Sequence, residues 1–200
     1  QNLETKRNNA YDFFGLDSNK RTLLILGGSL GARTINRAIM QGLDALQQRQ
    51  DVQVLWQSGK IYYENILGQI NGKVPSNMVL LPFIDQMDFA YAIADLVVCR
   101  AGAISLSELA IVKKPVILIP SPNVAEDHQT KNALALTDKD AAILIRDNQA
   151  AEELIPAISR LFADPQRMSQ LANHISKFAK PDATENIVKE IIELINNYDR

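Results

Sequence analysis

Short apolar runs alternate with amphipathic segments from residue 21 almost to the end of the chain. The short runs are rich in leucine, isoleucine and valine, which is typical of buried strands. Between and after them, apolar residues recur at helical spacing. The predicted strands are Thr22–Gly27, Val52–Gln57, Met78–Pro82, Leu96–Cys99, Val116–Pro120 and Ala142–Ile145. The predicted helices are Ala32–Gln48, Lys60–Ile70, Gln86–Ile93, Ser105–Ile111, Glu126–Thr137, Ala151–Phe162, Pro165–Phe178 and Ala183–Tyr198.

The alternation of strands and helices predicts one α/β domain, a Rossmann-like doubly wound parallel sheet of about six strands with C-terminal helices. Residues 1–20 are polar and lack a sustained period, so we expect a lead-in segment that is helical near Ala10–Phe14. The predicted domain then spans residues 21–200. Ligands of such sheets bind beyond the carboxyl ends of the strands, so binding residues are expected in the loops that follow strands.

Composition and charge exclude several classes of protein. A hydrophobic content of 46% and a charged content of 22% are ordinary for a globular protein. The net charge of −2 argues against a dedicated nucleic-acid binder, because such proteins carry a basic excess. The single cysteine, Cys99, excludes an internal disulfide and is predicted to be a buried strand residue. No apolar run reaches the length of a membrane-spanning helix.

The turn Gly27–Gly31 follows the first predicted strand and opens a helix. Glycines such as Gly28 and Gly31 let the backbone approach an anion closely, and the helix start behind them offers unpaired N–H groups. Ser29 can add a hydroxyl donor, so the turn predicts a phosphate site; alternatively, it is a tight turn with Ser29 as the N-cap. The spacing fits neither a Walker A loop nor a dinucleotide fingerprint, and Asp44 lies inside the helix, which disfavours NAD.

A second turn of small residues, Cys99–Glu108, again joins a strand to a helix. Gly102 and Ala103 leave its backbone open to a ligand. Ser105 and Glu108 have the spacing of a capping box, which alone could explain both residues. A carboxylate at this position can equally accept hydrogen bonds from ribose hydroxyls. The sequence leaves both interpretations open.

Two further loops follow predicted strands. In the first, Asn123 and Glu126 have capping spacing, while Gln129 and its polar neighbours at 127, 128 and 132 could contact sugar hydroxyls or simply be solvated. In the second, Phe83 and Ile84 are either core residues or the wall of a base pocket, where main-chain groups of Ile84 could contact a pyrimidine. Core packing is the simpler interpretation.

Other reactive residue types suggest no chemistry. Two histidines and one cysteine lie far apart in sequence, so we expect no metal site. His174 lies in a polar helical segment, where we expect a surface position without a partner.

The chain resembles the MurG family of bacterial glycosyltransferases from about Leu23 to its C-terminus. The matching stretches are Leu26–Arg33, Trp56–Lys60, Phe83–Met87, Ala94–Glu108, His128–Ala133 and Pro181–Glu185. This resemblance implies the GT-B arrangement of two Rossmann-like domains, with the sugar donor bound by the C-terminal one. The chain begins at Gln1 rather than methionine, and we expect the N-terminal acceptor domain to be absent from it.

The resemblance also implies a ligand, UDP-N-acetylglucosamine, which is a substrate, so no cofactor is expected. Ser29 would meet the pyrophosphate, Ile84 the uracil and Gln129 the sugar hydroxyls. The phosphates and ribose would meet the turn formed by Ala103, Ile104, Ser105, Leu106, Ser107 and Glu108. Further possible contacts are Gly28, Gly31, Phe83, Arg100, Gly102 and His128, the last standing where some members carry glutamine.

The implied reaction is an inverting transfer of N-acetylglucosamine to the lipid-linked MurNAc-pentapeptide in peptidoglycan biosynthesis. The catalytic base is expected in the N-terminal domain, so no catalytic residue is assigned and the isolated chain is expected to be inactive. The implied location is the bacterial cytoplasm, with the full-length enzyme peripheral on the cytoplasmic face of the inner membrane. Two alternatives stay open: another UDP-sugar enzyme of this fold, such as a UDP-N-acetylglucosamine 2-epimerase, and a non-catalytic nucleotide-binding module.

Overall fold

Six parallel strands form one sheet, as the apolar runs predict. The computed structural model describes residues 3–28 and 30–198. The strand order is β3-β2-β1-β4-β5-β6, so β1 and β4 lie side by side at the centre. The strands are β1 Arg21–Leu26, β2 Val52–Gln57, β3 Met78–Leu81, β4 Ala94–Cys99, β5 Val116–Leu118 and β6 Ile143–Leu144.

Helices cover both faces of the sheet. They are α1 Leu3–Phe14, α2 Arg33–Gln41, α3 Leu43–Gln47, α4 Tyr63–Gln69, α5 Met87–Ile93, α6 Ala103–Val112, α7 His128–Thr137, α8 Ala150–Ala163, α9 Pro165–Ser176 and α10 Ala183–Tyr198. Short 3-10 turns precede α7 and α8. Alternate residues of β1 point to opposite faces, so Leu23 and Ile25 join one apolar cluster while Leu24 and Leu26 join the other. This explains why the strands read as continuous apolar runs.

The direction of the crossovers creates a crevice at the centre of the sheet. Helices α2, α4 and α8 contribute to the cluster that contains Leu23, whereas α1, α5, α6 and α7 contribute to the cluster that contains Leu24. The turns that leave β1 and β4 therefore diverge to opposite faces. A doubly wound sheet binds its ligands at this point.

The first two predicted helices differ from the structure in extent. The helix predicted near Ala10–Phe14 begins at Leu3, and its buried residues Ala10, Tyr11 and Phe14 pack into the core beside α5. The helix predicted over 32–48 is interrupted at Gly42. A Cβ at that position would lie 2.2 Å from the Ile155 side chain, so α8 packs closely against the backbone of Gly42.

Helix α10 exposes an apolar face. Its exposed apolar residues are Ile187, Val188, Ile191, Ile192, Leu194 and Ile195. None of the helices in the described part of the chain is both long and apolar enough to cross a membrane.

The structure contradicts the prediction that His174 has no partner. Its Nδ1 lies 3.0 Å from the carbonyl oxygen of Asp140, and the side chain is only partly exposed. Cys99 is buried at the end of β4, as predicted.

Candidate functional site

A cavity of about 450 Å³ lies at the carboxyl ends of the central strands. It collects residues from the segments that follow β1, β3, β4 and β5, together with Gln57 at the end of β2. The lining residues are Leu26, Gly27, Gly28, Gly31, Gln57, Phe83, Ile84, Met87, Tyr91, Cys99, Arg100, Gly102, Ser105, Glu108, Ser121 and Gln129. The four loops that the sequence singled out therefore meet in one place.

The glycine turn after β1 forms one wall. Gly28 and Gly31 have φ values of +76° and +86°, which L side chains rarely adopt. A Cβ at Gly31 would lie 2.2 Å from the carbonyl oxygen of Ser58, because the turn after β2 packs against it. Helix α2 begins directly behind this turn, and its N-cap residue Ala32 makes no side-chain capping bond. The first N–H groups of α2 are therefore available to an anion.

Ser29 lies outside the described residues. Its predicted contact with a phosphate and its alternative role as an N-cap both stay predictions. The cap position of α2 itself is occupied by Ala32, three residues further along the chain.

The turn after β4 forms the opposite wall. Of the two interpretations that the sequence left open for Ser105 and Glu108, the capping box is wrong. Helix α6 begins at Ala103 with Gly102 as its N-cap, two residues earlier than predicted, so Ser105 already lies within the first turn. No side chain caps this helix. The Glu108 carboxylate instead accepts a hydrogen bond of 2.9 Å from the Tyr91 hydroxyl. Glu108 is exposed and faces the cavity, so its carboxylate remains open to a ligand.

The remaining residues of the α6 turn do not line the cavity. Ile104 is 78% exposed, and Ala103 is exposed as well. Leu106 packs against the core, and the Ser107 hydroxyl donates to the carbonyl of Ala103 at 3.0 Å. Their side chains therefore point elsewhere, although the main chain of Ala103 and Ile104 belongs to the open first turn of α6.

The loop after β3 forms the third wall. Ile84 is 1% exposed, which agrees with core packing, and Phe83 is half-buried with the Lys60 ammonium 5.5 Å from the centre of its ring. The Ile84 N–H donates to the Gln57 side-chain oxygen at 2.8 Å. Of the main-chain groups that were expected to contact a base, the N–H is therefore already bonded within the protein.

Gln57 is a lining residue that the sequence interpretation missed. It ends β2 and is 4% exposed. The available signal was an amide side chain at the last position of a buried strand, at the ligand-binding edge of the sheet, where a buried polar group requires partners.

The loop after β5 contributes Gln129 and Ser121. The Gln129 side-chain oxygen accepts the Ser121 N–H at 2.9 Å, which holds the Gln129 amide at the cavity. His128 is exposed and lies outside the lining, with its Nδ1 2.8 Å from the carbonyl oxygen of Ala125.

The predicted cap in this loop is wrong. Asp127 is the N-cap of α7, in a left-handed conformation and without a side-chain capping bond, and Glu126 has a φ of 54°. The helix begins at His128, too late for the predicted pair at Asn123 and Glu126 to cap it.

Arg100 connects the end of β4 to the segments that follow β5 and β6. Its Nη1 donates to the carbonyls of Ile119 and Pro120 at 2.9 and 3.1 Å and pairs with Asp147. The other Asp147 oxygen accepts the Thr34 hydroxyl at 2.9 Å, and Thr34 lies in the first turn of α2. This network fixes the start of α2 against the ends of β4 and β5.

The protonation states of the cavity favour binding rather than nucleophilic attack. Burial raises the pKa of the Cys99 thiol to about 12, so the thiol is neutral at physiological pH. Burial and the bond to Glu108 raise the pKa of Tyr91 well above its usual value.

Within residues 3–28 and 30–198, no cluster of His, Cys, Asp and Glu has the arrangement of a metal site. Uncapped helix starts, a carboxylate and an amide suit an anion that also carries hydroxyl groups.

Comparison with solved structures places this fold among GT-B glycosyltransferases. A crystal structure of Acinetobacter baumannii MurG matches with a TM-score of 0.76 and 30% identity over 92% of this chain and 53% of that one. The C-terminal CMP-Kdo binding domain of Acinetobacter baumannii WaaA matches with a TM-score of 0.65 over 88% of this chain and 96% of its own. At 12% identity, that second likeness concerns the fold alone.

Sequence relatives point to the same family. A UDP-N-acetylglucosamine–N-acetylmuramyl-(pentapeptide) pyrophosphoryl-undecaprenol N-acetylglucosamine transferase of Flavobacterium psychrophilum is 51% identical over 98% of this chain and 52% of its own length. The Bacteroides fragilis protein of the same name is 48% identical over 97% of this chain and 52% of its own length. The chain spans about half the length of the curated relatives it matches.

The family model that matches is described as the glycosyltransferase family 28 C-terminal domain, and it covers residues 22–187. The covered range includes every strand of the sheet except the first residue of β1, and all four loops that line the cavity. The chain therefore belongs to glycosyltransferase family 28, as its C-terminal domain.

Proposed function

We propose that the cavity binds UDP-N-acetylglucosamine and that the chain is the donor-binding half of the transferase that adds N-acetylglucosamine to the undecaprenyl-linked MurNAc-pentapeptide. One observation carries the proposal: one cavity is lined both by the glycine turn that leads into α2 and by the first turn of α6, and neither helix has a side-chain cap. Each helix start carries roughly half a positive charge, so the gap between them suits a diphosphate. The cavity volume of about 450 Å³ is in the range of small-molecule sites.

The proposed contacts follow from the walls of the cavity. The pyrophosphate lies between the turn containing Gly28, Ser29 and Gly31 and the first turn of α6, where Ser105 adds a hydroxyl. Glu108 accepts hydrogen bonds from the ribose, and the uracil lies against the loop at Ile84. Gln129 contacts the sugar hydroxyls, whereas the side chain of His128 lies outside the lining.

The proposed leaving group is UDP. As the bond to the anomeric carbon breaks, negative charge grows on the diphosphate. Main-chain N–H groups at the starts of α2 and α6 and the Ser105 hydroxyl stabilise it in place. Removing one such donor lowers the rate of comparable reactions by about a hundredfold or more. The base that activates the acceptor hydroxyl is assigned to the other half of the protein.

The exposed face of α10 supports the view that another part of the protein packs here. A run of exposed isoleucines from Ile187 to Ile195 is costly in water. We propose that the remaining half, which the relatives possess, covers this face, contributes the acceptor site and attaches the enzyme to the cytoplasmic face of the membrane.

Calorimetric titration of the chain with UDP-N-acetylglucosamine, UDP, NAD and ATP tests the proposal. We expect both uridine nucleotides to bind and the other two not to bind. Ser105→Ala should weaken binding of UDP, while Ser176→Ala in α9, which removes a helical serine that does not line the cavity, should not. Selective binding of NAD, or no binding of UDP, would contradict the proposal. Conversion of UDP-N-acetylglucosamine to its 2-epimer by the chain would favour the epimerase alternative.

A further inference from the structure

We propose that Gln57 is a positioning residue that holds the phosphate-binding turn and the nucleobase wall of the cavity at a fixed separation. The inference rests on the proposed function, because it assigns those two roles to the two walls. Gln57 is the last residue of β2, and β2 lies between β1 and β3 in the sheet. Its side chain therefore lies between the loop that leaves β1 and the loop that leaves β3.

Both ends of the Gln57 amide are bonded to main chain. The Nε2 group donates to the Gly28 carbonyl at 2.9 Å, and the Oε1 atom accepts the Ile84 N–H at 2.8 Å. Gly28 belongs to the glycine turn and Ile84 to the loop after β3. One planar amide thus joins two loops that approach the cavity from different strands.

The chemistry of this bridge requires a glutamine. One partner is an acceptor and the other is a donor, so the bridging group must both donate and accept. A glutamate would place a carboxylate against the Gly28 carbonyl. A methionine has similar volume but can do neither, and an asparagine is one methylene too short to reach both partners.

The bridge matters most to a ligand that touches both walls. UDP spans from the glycine turn to the Ile84 loop in the proposed site, so its affinity depends on the separation of the two walls. Uridine alone and inorganic pyrophosphate alone each contact only one of the two loops that Gln57 joins, so either fragment can still bind when one loop shifts relative to the other. Loss of the bridge should therefore weaken UDP more than it weakens either fragment, because preorganisation of the site is lost.

The same strand supplies a matched control. Gln53 is also buried in β2, at 2% exposure, but near the opposite end of the strand. Its Nε2 donates to the Asp17 carbonyl at 2.8 Å and to the Thr22 hydroxyl at 3.0 Å, and its Oε1 accepts the Asp17 N–H at 2.9 Å. Replacing it removes a buried bridging amide of the same kind without touching the cavity.

The experiment compares Gln57→Met with Gln53→Met in the 200-residue chain. Affinities for UDP, uridine and pyrophosphate are measured by calorimetry and ligand-detected NMR, and unfolding is followed by the fluorescence of buried Trp56. Gln57→Met should lower the affinity for UDP on the order of tenfold, and the affinities for uridine and for pyrophosphate by about threefold or less. Gln53→Met should lower the melting temperature comparably and leave UDP binding within about twofold of wild type. Gln57→Asn, a milder change, should show the same pattern as Gln57→Met.

The outcomes separate this inference from the proposed function. If wild type binds UDP but Gln57→Met weakens UDP, uridine and pyrophosphate by the same factor, the positioning role of Gln57 is wrong and the proposed function stands. The same holds if Gln57→Met binds UDP as well as Gln53→Met does. If wild type does not bind UDP at all, the proposed function itself is overturned.

Discussion

Glu108 offers the sharpest test of the proposed ribose contact. The residue is exposed, makes no capping bond and has one side-chain partner, the Tyr91 hydroxyl at 2.9 Å. Glu108→Ala therefore removes one hydrogen bond from the folded state, so the free energy of unfolding should fall by only about 0.5–1.5 kcal/mol. The binding free energy of UDP should fall by more than the free energy of unfolding does. A hydrogen bond to a charged group contributes about 1.5–3 kcal/mol, which is about tenfold to 150-fold in the dissociation constant of UDP.

Tyr91→Phe tests the same contact by removing the hydroxyl that donates to Glu108. The carboxylate of Glu108 remains, but the hydroxyl that orients it is gone, so we expect UDP to bind about threefold to tenfold more weakly. The double variant should bind no more weakly than Glu108→Ala alone, because Tyr91 acts through Glu108.

The assay compares UDP with 2′-deoxy-UDP by calorimetry, alongside thermal unfolding. Wild type should prefer UDP, and Glu108→Ala should lose most of that preference. Glu153→Ala, an exposed glutamate in the first turn of α8, is the control and should change neither quantity. Equal losses for both nucleotides would refute the ribose contact. A drop in stability without a change in binding would refute the assignment of Glu108 to the site.

Three further predictions concern the surroundings of the cavity. Gly31→Ala should lower the free energy of unfolding by about 2 kcal/mol or more in denaturant titration, because its Cβ would lie 2.2 Å from the Ser58 carbonyl; a stability equal to wild type would contradict the described turn. Asp147→Asn should lower the free energy of unfolding by about 1–3 kcal/mol and weaken UDP binding, since Arg100 loses its ionic partner. An unchanged free energy of unfolding together with unchanged UDP affinity would show that the pair has no positioning role. Cys99 should not react with Ellman's reagent at neutral pH until the chain unfolds, because the thiol is buried and its pKa is about 12; rapid reaction of the native chain would contradict that burial.

The periodic parts of the fold were predictable because each strand or helix carries its own pattern. The six strands lie within one or two residues of their predicted positions, since a continuous apolar run bounded by turn residues is a local signal. The close packing of α8 against Gly42 was not predictable, because it involves Ile155, which is distant in the chain. Two of the three candidate caps are wrong, because α6 begins at Ala103 and α7 at His128, each without a side-chain cap. Capping spacing is common in sequences and does not by itself fix where a helix begins. The third candidate, Ser29, lies outside the described residues.

The sequence by itself determined the α/β class, the order of strands and helices, and the loops that carry the candidate site. These properties follow from local periodicity, from glycines such as Gly28 and Gly31 that need positive φ, and from the general rule that parallel sheets bind ligands at the carboxyl ends of their strands. Only the tertiary structure decided how the loops meet. The Gln57 bridge between Gly28 and Ile84 and the Tyr91 bond to Glu108 join residues 17 to 29 positions apart in the chain, and such pairings exist only once the strands are placed side by side.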